Sequence, residues 1–124
     1  MTTDDQTAKL QQLVRDLSPE IRAIHDRLHQ LLHEVVPQAT EYVDLPDRVL
    51  AFGSGLAMRD LWFALIAHKG WVNVQFADGA TLEDPDGLVE GTGKRIRHVK
   101  ARSVADAERP ALHALIEQQV RLRE

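Results

Sequence analysis

Pro37 constrains this chain more than any other residue, because the hydrophobic periodicity differs on its two sides. Before it, Ile21, Ile24, Leu28, Leu31, Leu32 and Val35 recur at intervals of three and four, which aligns them as one apolar stripe on a helix. After it the apolar residues fall into short runs of strand length, and proline itself cannot continue a helix. The helix start is equally marked. Ser18-Pro19-Glu20 supplies a capping hydroxyl, a proline suited to the first helical position and an acid in the first turn. Upstream, Leu10, Leu13, Val14 and Leu17 predict a first helix over Asp5 to Leu17.

Beyond Pro37, strands are predicted over Ala39 to Leu45, Arg48 to Phe52, Leu61 to Ala67 and Trp71 to Phe76. The nearly continuous apolar run Leu61 to Ala67 reads as a central strand covered on both faces. Trp71 to Phe76 alternates, with Val72, Val74 and Phe76 on one face and Trp71, Asn73 and Gln75 on the other, after a tight Lys69-Gly70 turn. Ala77 to Glu90 is acidic and rich in turn formers and reads as a loop. Arg95 to Arg102 resumes a strand, but strict alternation would turn Ile96 away from Val99 and Ala101, so a one-residue bulge is expected near His98. Pro110 opens a last helix with Leu112, Leu115, Ile116 and Val120 as its stripe. The connections suit hairpins. The expectation is therefore an α+β fold: an antiparallel sheet of four to five strands with the N-terminal and C-terminal helices packed mainly on one face. At 124 residues it reads as one domain, with residues 1–17 possible as a peripheral helix.

Composition removes whole classes of chemistry. There is no cysteine, hence no disulfide, thiolate metal site or cysteine nucleophile. The opening Met-Thr-Thr-Asp-Asp-Gln lacks the basic start and apolar stretch of a secretory signal, and the longest apolar run, Leu61 to Ala67, is far below the roughly 20 residues that span a bilayer. A cytoplasmic location with no membrane association is expected. The net charge of −4 disfavours nucleic-acid binding unless the bases are segregated, and no aromatic residue interleaves the bases of the last strand.

Four groups of residues could carry function. Gly91-Thr92-Gly93-Lys94 offers exposed amides and a lysine to an anion, yet a Walker loop needs a glycine six positions before that lysine, where Leu88 stands, and a hydroxyl after it, where Arg95 stands. Turn geometry leading into the strand explains the same glycines. The acid-free run Lys94, Arg95, Arg97, His98, Lys100 and Arg102 could hold a small anion or an acidic protein; alternatively it protects an edge strand, neutralised by Asp78, Glu83, Asp84, Asp86 and Glu90. His25, His29 and His33 lie four apart on the second helix, where a neighbouring pair could share a metal, although a drift of about 40° per step keeps all three from one ion. Trp71 and His68, with Trp62 and Tyr42, could line a pocket on the sheet, with Trp62 read as core and Trp71 as exposed and suited to a homodimer interface. Ser54 between Gly53 and Gly55 lacks the spacing of a nucleophile elbow, so a non-catalytic domain is the expectation.

The stretches Ala67-His68-Lys69-Gly70, Gly87-Leu88-Val89-Glu90-Gly91-Thr92-Gly93-Lys94-Arg95-Ile96-Arg97-His98-Val99-Lys100 and Pro110-Ala111-Leu112 resemble the YdhG-like family, a domain family of unknown function. The resemblance implies an α+β domain with a curved antiparallel sheet. Some relatives are described as frataxin-like proteins that bind and deliver iron, which would make iron the cofactor and Asp84, Asp86 and Glu90 its ligands here. Most relatives have no assigned activity.

Overall fold

The computed structural model describes residues 4–124. Two helices lead, α1 (Asp4–Arg15) and α2 (Pro19–Val35); a sheet follows in strict chain order, β1 (Thr40–Asp44), β2 (Val49–Gly53), β3 (Leu61–Ala67), β4 (Val72–Phe76) and β5 (Arg97–Ala101); two helices close, α3 (Val104–Ala107) and α4 (Pro110–Leu122). Every strand pairs antiparallel with its neighbours, so β3 is the middle strand of an open meander. The class is α+β, as the periodicities require.

The local reasons match the sequence. Ser18 caps α2, its side-chain oxygen accepting from the Ile21 amide at 3.3 Å with Pro19 at the helix start. The chain leaves α2 just before Pro37, the Val36 amide donating to the Leu32 carbonyl. The Lys69-Gly70 turn is closed by the His68 amide on the Trp71 carbonyl at 2.8 Å. One short element was not foreseen: α3, capped by Ser103, whose Oγ accepts from the Asp106 amide at 3.1 Å.

The main core lies between the helices and one face of the sheet. Val43, Leu50, Phe52, Phe63, Leu65, Val72, Val74, Phe76, Val99 and Ala101 are buried there with Ile24, Leu28 and Leu32 of α2 and Leu112, Leu115 and Ile116 of α4. Phe63 and Phe76 meet edge to face at 5.6 Å between centroids, and each fully buried Phe contributes about 2–3 kcal/mol through removal from water. The opposite face carries Tyr42, Ala51, Ala64, Gln75 and His98 in one cross-strand row and Asp44, Val49, Ile66, Asn73 and Lys100 in the next. The expectation that β3 is covered on both faces holds at its centre, where Phe63, Ala64 and Leu65 are all buried, although Phe63 and Leu65 face the helices while Ala64 and Ile66 face a side that no described helix covers.

The bulge is also elsewhere than expected. β5 pairs with β4 residue for residue, without a shift at His98. Strand pairing starts at Arg97, after Ile96, so the facing of Ile96 imposes no constraint. The irregularity falls instead between β2 and β3, where Phe52 pairs with Phe63 and Gly53 with Leu61, leaving Trp62 as the extra residue. Gly53 permits it, because a Cβ there would sit 2.1 Å from the Asp60 carbonyl oxygen.

Candidate functional site

The uncovered face holds a cavity of about 250 Å³. Its floor is Ala51 of β2 and Ala64 of β3, small side chains at positions where the strands point away from the helices. Tyr42 of β1 and the loop after β2, with Leu56 and Met58, make the walls, and Asp44 and Asp47 stand at one end. Leu56 and Met58 are 70% and 73% exposed, unusual for large apolar side chains, and Tyr42 is 38% exposed. The loop is nonetheless held. The Ser54 amide donates to the Asp60 carbonyl at 3.0 Å, the Ala57 amide to Asp60 Oδ2 at 3.3 Å, and Nη1 of Arg123, which caps α4, to the Arg59 carbonyl at 3.1 Å.

Arg123 belongs to a polar hub that ties this wall to the rest of the fold. It grips Asp78 with two nitrogens, at 2.7 and 3.1 Å; Gln119, fully buried, donates to Asp78 Oδ2 at 2.8 Å and accepts from the Asp78 amide at 2.8 Å. Arg95 adds a contact to Asp78 Oδ1 at 3.3 Å. The Arg123 hydrogen bond, offset in part by burial and reinforced by Gln119 and Arg95, holds the Asp78 carboxyl down to about 2.

The three histidines separate by depth. His25 is fully buried, with neither ring nitrogen hydrogen-bonded to a described residue, and burial together with the charge of His29 pushes it down to about 4. His29 and His33 converge on the buried Glu41 of β1, His29 Nε2 lying 2.7 Å from Oε1 and His33 Nδ1 3.2 Å from Oε2. Burial would raise the Glu41 carboxyl, but the hydrogen bonds and charges of His29 and His33 outweigh it and leave it below the usual carboxylate range. His29 also packs on Phe52, at 5.7 Å between centroids. Among the described residues no group of three or more histidine, aspartate or glutamate side chains is placed to hold a metal ion.

The acids and bases of the segment 78–102 are largely engaged with one another. Asp84 accepts from the Leu88 and Val89 amides at 2.9 and 2.8 Å, Glu90 pairs with Lys100 at 3.5 Å, and Asp86 is exposed. Arg97 Nε donates to the Gly93 carbonyl at 3.0 Å. Glu90 and His98 exchange two backbone bonds, of 2.7 and 3.1 Å, which cover that edge of β5 locally. Gly91 has φ +114, a backbone that side chains rarely adopt, and a Cβ on Gly93 would sit 2.4 Å from the Ile96 carbonyl. Both glycines are therefore needed for the turn. The amides of Gly91, Thr92, Gly93 and Lys94 make no hydrogen bond to other described residues, and all four residues are exposed.

Trp71 is engaged on its own surroundings. His68 stacks on it at 4.8 Å and 22°, the Lys100 ammonium lies 4.9 Å from its centroid, and its Nε1 donates to Asn73 at 2.8 Å. Trp62 is partly buried against the core.

No family model, curated protein or solved structure matches this chain. The site must therefore be judged by its own geometry. Sequence reasoning missed the cavity residues Ala51, Ala64, Leu56 and Met58. Their signal was faint: two alanines at the outward-facing positions of otherwise bulky strands, beside two large apolar residues in a glycine-rich loop. Ser54, in that loop, is exposed, and its hydroxyl hydrogen-bonds to no described side chain. No described helix is long and apolar enough to cross a membrane.

Proposed function

We propose that this protein is a non-catalytic binding domain that seats a small, flat, largely apolar ligand on the uncovered face of its sheet. The observation that carries this reading is the cavity of about 250 Å³ floored by Ala51 and Ala64 and walled by Tyr42, Leu56 and Met58. Concave, mostly apolar sites with a few polar groups are what small-molecule binding requires, and here Asp44, Asp47 and Gln75 line the hollow as those groups. Leu56 and Met58, exposed beside this hollow, hold apolar surface in water that a ligand would cover. The frataxin-like iron reading that comes with a YdhG-like resemblance has less support, since Asp84 is committed to backbone amides and Glu90 to Lys100.

Screening a fragment library against the uniformly labelled protein tests the proposal. Amide shifts are expected to cluster at Tyr42, Ala51, Met58 and Ala64, and Ala51→Leu, which fills the floor, is expected to abolish them at a stability change of under about 1 kcal/mol. A library that shifts nothing at millimolar concentration sinks the reading. A second reading, an anion on the Gly91–Lys94 amides, is favoured by their lack of internal partners. Phosphate titration distinguishes it, because its shifts would fall at Gly91–Lys94 and weaken with added salt.

A further inference from the structure

The two cross-strand rows of the open face have an arrangement that is its own complement. One runs Asp44, Val49, Ile66, Asn73, Lys100 from β1 to β5; the other runs Tyr42, Ala51, Ala64, Gln75, His98. Each begins on one edge strand and ends on the other, with its middle residue on β3. A two-fold axis laid along β3, above the face, exchanges β1 with β5 and β2 with β4 while leaving every row in place. Asp44 then stands opposite the partner's Lys100, Tyr42 opposite the partner's His98, and Ile66 and Ala64 each opposite their own counterpart. The other in-plane axis, across the strands, stacks β1 on β1 and β5 on β5 and so never brings Asp44 to the partner's Lys100. The charges select the first axis.

We infer that this face pairs with the same face of a second copy of the chain about a two-fold axis along β3. The packing chemistry agrees. Of the five large hydrophobic residues left exposed among the described residues, Tyr42, Leu56 and Met58 border this face, while Val104 and Leu122 lie on the closing helices. The half-buried Ala51 adds little bulk to the face and Ala64 lies buried beneath it, and the twist between aligned sheets, about 30°, is within the reach of a lysine. Lys100 is already ordered by Glu90 and by Trp71, so it loses little freedom on pairing. Five short strands offer less than the roughly 800 Å² per partner of a standard interface, so a weak, reversible dimer is expected. Pairing roofs the cavity with the partner's Gln75 and the partner's His98 and does not depend on a ligand occupying it.

Sedimentation equilibrium from about 1 µM to about 1 mM is the test. The wild-type chain is expected to dimerise reversibly. Asp44→Lys and Lys100→Asp, each alone, create two like-charge contacts per dimer and are expected to weaken it about 100-fold, roughly tenfold for each contact. Mixing the two single variants one to one is expected to restore the dimer, because a mixed pair is complementary at both contacts. A charge-neutral check uses the absence of native cysteine: Ile66→Cys puts the chain's lone thiol on the axis, where a short bis-maleimide should link two copies. A wild-type monomer throughout that range overturns the inference. So does a dimer indifferent to both single variants, or a mixture that stays monomeric while both variants melt like wild type. If either charge variant does not fold, the cross-link decides, and its failure overturns the inference. None of these results bears on the ligand reading, which stands or falls with the fragment library and Ala51→Leu.

Discussion

Replacing His25 with leucine is expected to stabilise the protein by about 1–3 kcal/mol at pH 7 and to flatten its acid sensitivity. His25 is fully buried with both ring nitrogens unpartnered, and an unsatisfied buried polar group costs roughly 1–3 kcal/mol that an apolar side chain of similar size does not incur. The pH dependence follows from linkage. The ring titrates at about 4 in the folded protein against an ordinary value of 6.5, so between those values the unfolded chain binds more protons than the folded one. Stability is complete above about pH 6.5 and is lost as the pH falls towards 4, by at most about 3 kcal/mol at 1.36 kcal/mol per pH unit. Glu41 acts in a lower window: its carboxyl lies below the usual range, so its share is present above that range and disappears as the pH falls through it. Urea melts of the wild type and His25→Leu at half-unit steps from pH 7.5 to 3.5 would separate the two. A variant that is less stable at pH 7, or that keeps the full slope between pH 6.5 and 4, would show that His25 has partners the structure does not hold.

The largest destabilisation is expected at Asp78. Asp78→Ala removes the shared acceptor of Arg123, Gln119 and Arg95, leaving the fully buried Gln119 amide and a mostly buried guanidinium without their partner. Breaking such a network by removing one member costs about 2–4 kcal/mol. Asp78→Asn keeps the shape and loses the charge, and should fall between. The effect reaches the proposed site, because Arg123 also holds the Arg59 carbonyl and with it the turn that carries Met58. Urea midpoints give the stability, and amide exchange in residues 54–60 should quicken in Asp78→Ala before global unfolding. An Asp78→Ala midpoint within about 1 kcal/mol of wild type would show the hub to be ornamental. Since Asp78 is held down to about 2, its contribution persists to lower pH than that of an ordinary carboxylate and is lost between about 3.8 and 2.

The two expected effects differ in how far the sequence announced them. The four-residue spacing of His25, His29 and His33 was visible, and so was their drift across the helix, which the structure reproduces as a passage from full burial at His25 to exposure at His33. What they converge on was not visible, because Glu41 comes from a strand beyond Pro37 and only folding brings it to the helix. Asp78 appeared only as one turn-forming acid among five, its role set by Gln119 and Arg123 some forty residues away. The bulge was placed at His98 from alternation alone. The chain meets the conflict by starting the strand two residues later, at Arg97, and puts its irregularity at Trp62, where Gly53 tolerates the close approach of the Asp60 carbonyl.

What the sequence determined by itself is therefore everything governed by local periodicity and local steric preference. The stripe of α2, its Ser18 cap, the stop before Pro37, the alternation of β4 and the glycines of the turn before β5 all depend on neighbours within a few residues. Only the tertiary structure decided which face of the sheet stays open, because alternation says that a strand has two faces and not that helices at both ends of the chain will cover the same one. That choice, driven by burying the larger apolar face, turned Ala51 and Ala64 into a cavity floor and set Asp44 and Lys100 at opposite ends of one row.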